Sequence, residues 1–277
     1  MIDGQTLLYG IIGNPVHHSL SPVMHNRAFA ALDMNGVYVP MPVTDLAVAV
    51  QGLRALGFRG VSVTVPHKEA IISLLDEVDP VAQRIGAVNT LLIRERPSDG
   101  KRVIRGFNTD WLGANLALAD KVRLEESRVL ILGAGGAAKA IAFGLVEAGA
   151  TVILSNRTVS RGMELADWLG CTFVPLTGLA SVEAEVLVNT TTVGMEPHSE
   201  DIPLDPGLLH RFTTVMDIVY APLQTRLLRE AAACGCTVID GLAMLVYQGA
   251  AQFRIWTGIR PDIQLMRRAL EERLASG

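Results

Sequence analysis

Residues 128–138 read RVLILGAGGAA, and this stretch decides how the second half of the chain folds. Its four consecutive apolar residues are typical of a strand that is buried on both faces of a parallel sheet. A glycine cluster that reads GAGGAA follows directly and opens a helical pattern. A strand, a glycine loop and a helix in this order form the G-x-G-x-x-G/A fingerprint of a Rossmann-type unit.

The glycine cluster has the chemistry of a dinucleotide site. Gly133 allows a tight turn, Gly135 lets the backbone approach a pyrophosphate, and Ala138 allows close packing of the helix on the strand. The first amides of the helix then face the anion. Glycines can also serve turn geometry alone, but their place between strand and helix favours a cofactor. The candidate cofactor-binding residues of this loop are Gly133, Ala134, Gly135, Gly136 and Ala137.

The end of the next predicted strand favours NADP over NAD. An NAD site has Asp or Glu about 20 residues beyond the glycine loop, where it accepts hydrogen bonds from the ribose. Asn156-Arg157-Thr158 stands there instead, so no carboxylate repels a 2′-phosphate. Arg157 offers a planar fork that suits a phosphate. The alternative interpretation is a helix cap beside a solvated arginine.

Composition limits the class of protein. Hydrophobic residues make up 49% of the 277 residues, charged residues 19%, and the net charge is −4. This balance suits an α/β protein with a large core. No basic cluster exceeds a pair of residues, which argues against nucleic acid as a partner, since backbone binding needs several cations on one face. The sequence shows no secretory pattern and no apolar run of membrane-spanning length, so we expect no membrane partner.

The cysteines and histidines predict no metal site. The three cysteines are odd in number, and Cys234-Gly-Cys236 is neither a CxxC redox motif nor half of a zinc ribbon. The six histidines have no metal-ligand spacing. We therefore expect a reduced, cytoplasmic protein without a metal, and the sequence leaves monomer and homodimer open.

Strand-like and helical patterns alternate along the chain, which predicts two α/β lobes with largely parallel sheets. The predicted strands of the first lobe are Thr6–Ile12, Val37–Pro40, Gly60–Val65, Val88–Ile93 and Val103–Gly106, and its predicted helices lie near Pro22–Leu32, Leu46–Leu56, Glu69–Asp76 and Val81–Ile85. In the second lobe the strands are Arg128–Leu132, Thr151–Ser155, Thr172–Val174, Val186–Asn189, Val215–Ile218 and Thr237–Ile239, with helices at Trp111–Lys121 and Ala137–Glu147.

The end of the chain is predicted to be helical. Two helices are expected over Leu242–Trp256 and Pro261–Leu274, with Pro261 at the first helical position. The predicted domains are 1–109, completed by 242–277, and a Rossmann-type NADP-binding domain over 110–241.

Residues 61–70 read VSVTVPHKEA and contain a lysine shortly after the end of a predicted strand. Val61, Val63 and Val65 alternate with polar residues, which predicts a half-buried strand. Pro66 then ends the strand, because proline has no amide hydrogen to donate. Lys68 follows where a helix should open.

Three polar clusters in the first lobe are candidates for a substrate site. They are Ser19-Leu20-Ser21-Pro22, the Thr64 to Lys68 stretch, and Asn89 with Asn108-Thr109-Asp110. Each has a purely structural alternative. Ser21 could only cap a helix that has proline at its first position. The asparagines could be turn residues, and Lys68 a solvated first-turn lysine.

Together these clusters resemble the shikimate dehydrogenase family over almost the whole chain. The matching stretches are Gly13-Asn14-Pro15, His18–Pro22 (HSLSP), His25-Asn26, Thr64–Lys68 (TVPHK), Gly86–Thr90 (GAVNT), Asn108-Thr109-Asp110, Gly133–Ala138, Asn156-Arg157-Thr158, Asn189–Met195 (NTTTVGM), Asp217–Tyr220 (DIVY) and Asp240–Gln248 (DGLAMLVYQ). This many motifs in one order is highly specific.

The resemblance implies an activity and a set of roles. The activity is the reversible, NADP-dependent reduction of 3-dehydroshikimate to shikimate by hydride transfer, a step of the shikimate pathway toward chorismate and the aromatic amino acids. The implied substrate ligands are Ser19 and Ser21 for the carboxylate, and Thr64, Asn89, Asp110 and Gln248 for the ring hydroxyls. Lys68 and Asp110 would be the acid–base pair. Tyr220 and Gly241 would lie near the substrate and the nicotinamide, and Thr190 near the cofactor. The C-terminal helices would return to the substrate domain.

Three positions depart from the commonest family pattern. Ser62 stands where Asn is frequent, Trp111 where Gly is, and Lys139 where Arg is. Trp111 adjoins Asp110 and bears on substrate preference. It keeps open the alternative of a quinate/shikimate dehydrogenase, or of a paralogue for a related cyclohexene or cyclohexane carboxylate with NAD or NADP. A catalytically silent NADP-binding sensor is a further alternative, which the presence of both Lys68 and Asp110 disfavours.

Overall fold

A computed structural model describes residues 2–276 of the chain, which divide into two units. The first unit runs up to Thr109 and resumes at Gln248, and the second comprises Asp110–Tyr247. The second division lies between residues 247 and 248, rather than between 241 and 242 as in the sequence-based boundaries.

Each unit contains one six-stranded sheet. The strands are β1 (Leu7–Gly13), β2 (Gly36–Pro42), β3 (Gly60–Val63), β4 (Glu77–Val78), β5 (Thr90–Glu95), β6 (Arg102–Phe107), β7 (Arg128–Leu132), β8 (Thr151–Ser155), β9 (Thr172–Phe173), β10 (Val186–Asn189), β11 (Thr214–Asp217) and β12 (Thr237–Ile239). The strand orders are β2-β1-β3-β5-β6-β4 in the first unit and β12-β11-β10-β7-β8-β9 in the second.

The helices alternate with the strands, as the sequence predicts. They are α1 (Ser21–Ala31), α2 (Leu46–Ala55), α3 (Pro80–Ile85), α4 (Asp110–Ala119), α5 (Gly136–Glu147), α6 (Val159–Leu169), α7 (Arg226–Ala233), α8 (Gly241–Thr257) and α9 (Ile263–Ala275), with short 3-10 helices at Ala70–Leu74, Leu176–Ser181 and Pro206–Arg211. Within residues 2–276, no helix has both the length and the apolar character needed to cross a membrane.

The first sheet is mainly parallel, with one reversed strand that matters for the site. Strand β5 runs antiparallel to both of its neighbours, β3 and β6. It therefore begins at the edge of the sheet where β3 and β6 end. The second sheet is parallel throughout its described pairs. Both results confirm the two-lobed α/β fold class.

Strand β3 differs from the prediction of a half-buried strand that reaches Val65. All four of its residues are buried, including Ser62 at 4% exposure. Val65 lies beyond the strand and is 68% exposed. The alternation of polar and apolar residues is misleading here because Ser62 has hydrogen-bond partners on its own buried face.

Two predicted helix starts are also wrong. Pro261 lies before α9, whose N-cap is Asp262, with its side chain accepting a hydrogen bond from Leu265 N at 3.0 Å. Lys68 does not open a helix but lies in a turn that precedes the 3-10 helix Ala70–Leu74. Helix α9 packs on α1, so the C-terminal helices return to the first unit as expected.

The order of the second sheet reverses between β7 and β10. From this point the chain builds outward through β8 and β9 on one side, and through β11 and β12 on the other. Ligands of open α/β sheets bind beyond the carboxyl ends of the strands at such a point. The loops that follow β7 and β10 are therefore the candidate cofactor loops.

Candidate functional site

Four segments of the first unit meet at one edge of its sheet. Val63 N donates a hydrogen bond to the Asn89 carbonyl at 2.8 Å, and Asn89 N donates to the Phe107 carbonyl at 3.0 Å. Val88 N donates to the Lys68 carbonyl at 2.8 Å. The reversal of β5 thus places the backbone of Asn89 next to the ends of β3 and β6, and the backbone of Lys68 beside it.

Lys68 lies in a turn that is anchored on both sides. Its neighbour His67 is buried, and the imidazole Nε2 lies 2.9 Å from the Val43 carbonyl. The His67 carbonyl accepts a hydrogen bond from Ile71 N at 3.0 Å. The Lys68 side chain is half-buried, unlike the solvated lysine of the structural alternative.

Asn89 and Gln248 come together in the first unit. Asn89 is 2% exposed and Gln248 7% exposed. Asn89 Nδ2 lies 3.5 Å from Gln248 Oε1 and 3.0 Å from Thr109 Oγ1. Asn89 Oδ1 accepts from Thr109 N at 2.8 Å. Asn89 is therefore part of a buried amide cluster rather than a simple turn residue.

The two serines lie at the start of α1. Leu20, not Ser21, occupies the N-cap position, so the alternative in which Ser21 only caps the helix is wrong. Ser21 N donates to Ser19 Oγ at 3.3 Å. The half-buried Thr64 follows β3, where a Cβ on Gly13 would stand 2.4 Å from its Cγ2. Close approach to Thr64 therefore requires glycine at the end of β1.

Three further predicted residues belong to the second unit. Asp110 is the first residue of α4 and is 5% exposed, and the positive end of the helix dipole favours a carboxylate there. Tyr220 is half-buried, and burial raises the pKa of its phenol. Gly241 opens α8, and a Cβ there would stand 2.5 Å from the Val219 carbonyl, so α8 packs closely on the loop that carries Tyr220. The pairing of Asp110 with Lys68 stays a prediction.

The glycine loop has the form that a dinucleotide requires. Gly133 has φ +119°, and a Cβ there would stand 2.4 Å from Thr190 Oγ1, which itself donates to the Leu132 carbonyl at 2.6 Å. In contrast, a Cβ on Gly135 or Gly136 would meet nothing within 4 Å. The space above the N-terminus of α5 is therefore open, and the helix amides border it. These residues fit a bound pyrophosphate.

Two exposed arginines follow β8 along the chain. Arg157 is exposed after β8, next to Asn156, whose Nδ2 donates to the Thr158 carbonyl at 2.8 Å. Arg161, in α6, is a further exposed cation that the motif search did not include. Its position four residues after Arg157 in the sequence was the available signal.

The two remaining departures from the family pattern lie around α5. Lys139 Nζ lies 5.0 Å from the centre of the Trp168 ring, a cation–π distance. Trp111, in the first turn of α4, packs its backbone on α5, where a Cβ on Gly144 would stand 3.2 Å from its carbonyl oxygen.

A buried carboxylate that sequence reasoning gave no role joins the loops after β10 and β11. Asp217 accepts hydrogen bonds from Asn189 Nδ2 at 3.0 Å, Val219 N at 3.1 Å and Thr225 Oγ1 at 2.7 Å. Burial raises the pKa of Asp217 to about 6, and these bonds offset part of that shift. Asn189 Oδ1 in turn accepts from Thr191 N at 3.0 Å. The pair therefore fixes the start of both loops.

Metal ligation has no support in the part of the chain that the structure describes. No cluster of three or more His, Cys, Asp or Glu side chains suited to a metal ion occurs among residues 2–276.

Comparison with known proteins identifies the family. The model of the shikimate dehydrogenase substrate-binding domain matches residues 11–91, that of shikimate/quinate 5-dehydrogenase matches 115–197, and that of the shikimate 5′-dehydrogenase C-terminal domain matches 241–271. The shikimate dehydrogenase (NADP(+)) of Methanothermobacter thermautotrophicus is 47% identical over 98% of both chains. The chain belongs to the shikimate dehydrogenase family.

Other members of the shikimate dehydrogenase family agree in sequence and in structure. The shikimate dehydrogenase (NADP(+)) of Pyrococcus furiosus is 48% identical over 97% of this chain and 96% of its own. The crystal structure of shikimate 5-dehydrogenase from Thermus thermophilus in complex with NADP(H) and shikimate has a TM-score of 0.88. It is 43% identical and covers 96% of this chain and 99% of its own. These relatives are NADP-dependent oxidoreductases.

Proposed function

We propose that the protein is an NADP-dependent shikimate dehydrogenase that reduces 3-dehydroshikimate reversibly to shikimate. The observation that carries the proposal is the meeting of Lys68, Thr64 and Asn89 at one edge of the first sheet, where the Lys68 carbonyl accepts the hydrogen bond of Val88. The identity of the substrate follows from the family, because relatives named shikimate dehydrogenase (NADP(+)) match this chain over almost its full length.

The residues of the first unit would hold the substrate. Ser19 and Ser21 would bind the carboxylate, since two hydroxyls at a helix N-terminus form an anion site. Thr64, Asn89 and Gln248 would hydrogen-bond the ring hydroxyls. From the second unit, Asp110 and Tyr220 would contact the substrate as well.

Lys68 and Asp110 would act as the acid–base pair. When bound in its reduced form, NADPH would supply the hydride that the carbonyl carbon receives, and in the oxidation direction NADP+ would accept it. Lys68 Nζ polarises the carbonyl oxygen and gives it a proton, and in the oxidation direction Nζ takes the hydroxyl proton.

The residues of the second unit would hold NADP. Gly133, Ala134, Gly135, Gly136 and Ala137 would border the pyrophosphate. Thr190 would lie near the cofactor and Gly241 near its nicotinamide end. Asn156, Arg157 and Thr158 would bind the adenosine ribose and its 2′-phosphate, with Arg157 as the charged contact.

A comparison of four substrate and cofactor pairs tests the proposal. Shikimate and quinate are each supplied with NADP and with NAD, and cofactor reduction is followed by absorbance. We expect efficient turnover with shikimate and NADP. Efficient turnover with quinate and NAD alone would establish the alternative of a quinate dehydrogenase, which Trp111 beside Asp110 keeps open, and no turnover with any pair would indicate a cofactor-binding sensor.

A further inference from the structure

A buried chain of hydrogen bonds crosses the first unit beneath the candidate substrate residues. Tyr38 Oη donates to Ser62 Oγ at 2.7 Å, and Ser62 Oγ donates to Gln252 Oε1 at 2.8 Å. Gln252 Nε2 donates to Thr90 Oγ1 at 3.0 Å, and Thr90 Oγ1 donates to Asn89 Oδ1 at 2.7 Å. These five side chains are each at most 4% exposed. Water therefore does not compete for the bonds.

Backbone groups fix the donor-to-acceptor direction of this chain of hydrogen bonds. Gln252 Nε2 also donates to the Asn89 carbonyl at 3.2 Å, and a carbonyl oxygen can only accept. Asn89 Oδ1 also accepts from Thr109 N at 2.8 Å, and an amide N–H can only donate. Neither side-chain amide can rotate by half a turn without losing one of these bonds. The orientations of Gln252 and Asn89 are therefore set by the fold.

These hydrogen bonds determine the direction in which the Asn89 amide donates. Its Oδ1 accepts from both Thr109 N and Thr90 Oγ1, which occupies its two lone pairs. The Nδ2 group then lies on the side of Thr109 Oγ1 and Gln248 Oε1. Asn89 is held as a donor toward this side, so a substrate oxygen that it contacts accepts the hydrogen bond.

The other end of this chain of hydrogen bonds is Tyr38, which lies near the serine cluster. The Ser21 side chain is a polar neighbour of the Tyr38 hydroxyl and partly offsets the rise that burial causes in the pKa of that phenol. His25, one turn after Ser21 on α1, stacks on Tyr38 with ring centres 4.5 Å apart, which restrains the phenol. The hydrogen bonds thus run from Tyr38, a neighbour of the proposed carboxylate ligand Ser21, to Asn89, the proposed hydroxyl ligand.

We propose that Gln252 is a positioning residue for the substrate, which acts through Thr90 to hold the Asn89 amide with its N–H edge toward a substrate oxygen. Tyr38 and Ser62 hold Gln252 itself in the orientation that this requires. The assignment rests on the proposed function for the identity of the substrate, but the orientation of Asn89 does not depend on it. Gln252 has no contact with substrate or cofactor in this role.

Kinetics of Gln252→Met test the role in catalysis. Methionine has a similar length and no amide, so we expect KM for shikimate to rise about tenfold, roughly the effect of one lost neutral hydrogen bond, with KM for NADP unchanged. Tyr38→Phe, which removes a single oxygen, should shift the same constant in the same direction by less. The matched control is Gln51→Met, on the exposed side of α2, which should leave all constants at the wild-type values.

A double mutant separates positioning from general loss of structure. If Gln252 acts through Asn89, Asn89→Ala with Gln252→Met should bind shikimate no more weakly than Asn89→Ala alone. Additive effects, or an unchanged KM for shikimate in Gln252→Met, would overturn the proposal.

Nuclear magnetic resonance spectra recorded without substrate test the positioning role of Gln252 separately from the proposed function. The side-chain NH₂ signals of Asn89 are assigned by their loss in Asn89→Asp. We expect them to shift in Gln252→Met and to stay in place in Gln51→Met. An unshifted pair in Gln252→Met would refute the positioning role, whereas failure of the wild type to turn over shikimate refutes the proposed function alone.

Discussion

Trp256 lies directly against Gly60, and the pair joins α8 to β3. A Cβ on Gly60 would stand 2.3 Å from Cδ1 of the indole, whose Nε1 donates to the Leu91 carbonyl at 2.9 Å. The hydrogen bond fixes the ring, so the indole cannot withdraw. We expect Gly60→Ala to lower the free energy of unfolding by about 1–3 kcal/mol through overpacking, as measured by urea denaturation.

A second glycine provides the control for this prediction. Gly52 lies within α2, and a Cβ there would meet nothing within 4 Å. Gly52→Ala should raise stability by about 0.5–1 kcal/mol, because alanine favours the helix. Equal effects of the two substitutions would contradict the packing argument.

Removal of the proposed proton donor should affect turnover and not binding. Lys68→Ala is expected to lower kcat by about 10²–10⁴-fold, the usual contribution of a general acid or base. The dissociation constants of shikimate and NADP, measured by calorimetry, should change little. Lys101→Ala, at the exposed turn between β5 and β6, serves as the control. If the Lys68→Ala enzyme keeps most of its turnover, Lys68 is not the proton donor.

The choice of cofactor should depend on Arg157. Loss of a charge-assisted contact with the 2′-phosphate is expected to raise KM for NADP about tenfold or more in Arg157→Gln. KM for NAD should stay the same, because NAD lacks that phosphate. Arg123→Gln is a matched control, since Arg123 is 77% exposed and pairs with Glu125. Parallel changes with both cofactors would show that Arg157 does not read the phosphate.

Asp217 should make the protein less stable as the pH rises through the acid range. Burial raises its pKa from 3.8 to about 6, so the folded state holds this proton more tightly than the unfolded state. The contribution of Asp217 to the free energy of unfolding, taken as the difference between wild type and Asp217→Asn, should therefore fall between about pH 4 and pH 6, by about 3 kcal/mol at roughly 1.4 kcal/mol per pKa unit. Urea denaturation of Asp217→Asn should lack this decline, whereas Asp45→Asn at the exposed cap of α2 should keep it.

His25 should act in the opposite direction. Burial lowers the pKa of His25 from 6.5 to about 3, and the neighbouring Gln252 amide offsets only part of that shift. The unfolded state takes up the proton first, so the contribution of His25 to the free energy of unfolding, taken as the difference between wild type and His25→Phe, should fall as the pH drops from 6.5 toward 3, by about 5 kcal/mol at roughly 1.4 kcal/mol per pKa unit. His25→Phe keeps the stacking on Tyr38 and should flatten this slope. His198→Phe, at an exposed position, should retain it.

The sequence predicted the parts of the fold that local rules determine. The glycine loop after β7 and the order of strands and helices follow from periodicity and from turn chemistry, and both are found in the structure. The sequence predicts that Lys68 stands where a helix opens, but the turn is held by the contact of His67 with Val43, which lies 24 residues away in the sequence.

The buried polar groups were beyond sequence-based reasoning for a physical reason. Ser62 looks like a solvent-facing strand residue, and only the fold brings it to Tyr38 and Gln252, which are 24 and 190 residues away. Gln252 lies one turn after Gln248 on α8, and this repeat of a glutamine on an apolar helix was the available signal. Its partners depend on the reversed direction of β5, which no local pattern indicates.

The contact between Gly133 and Thr190 has a consequence for engineering of the cofactor site. The glycine loop is shaped partly by a hydroxyl that comes from another loop, 57 residues later. A graft of the GAGGAA segment alone into another scaffold would lack that support, and a bulkier side chain at 190 would push the loop out of shape. The two loops therefore have to be transferred or redesigned together when the cofactor preference is to be changed.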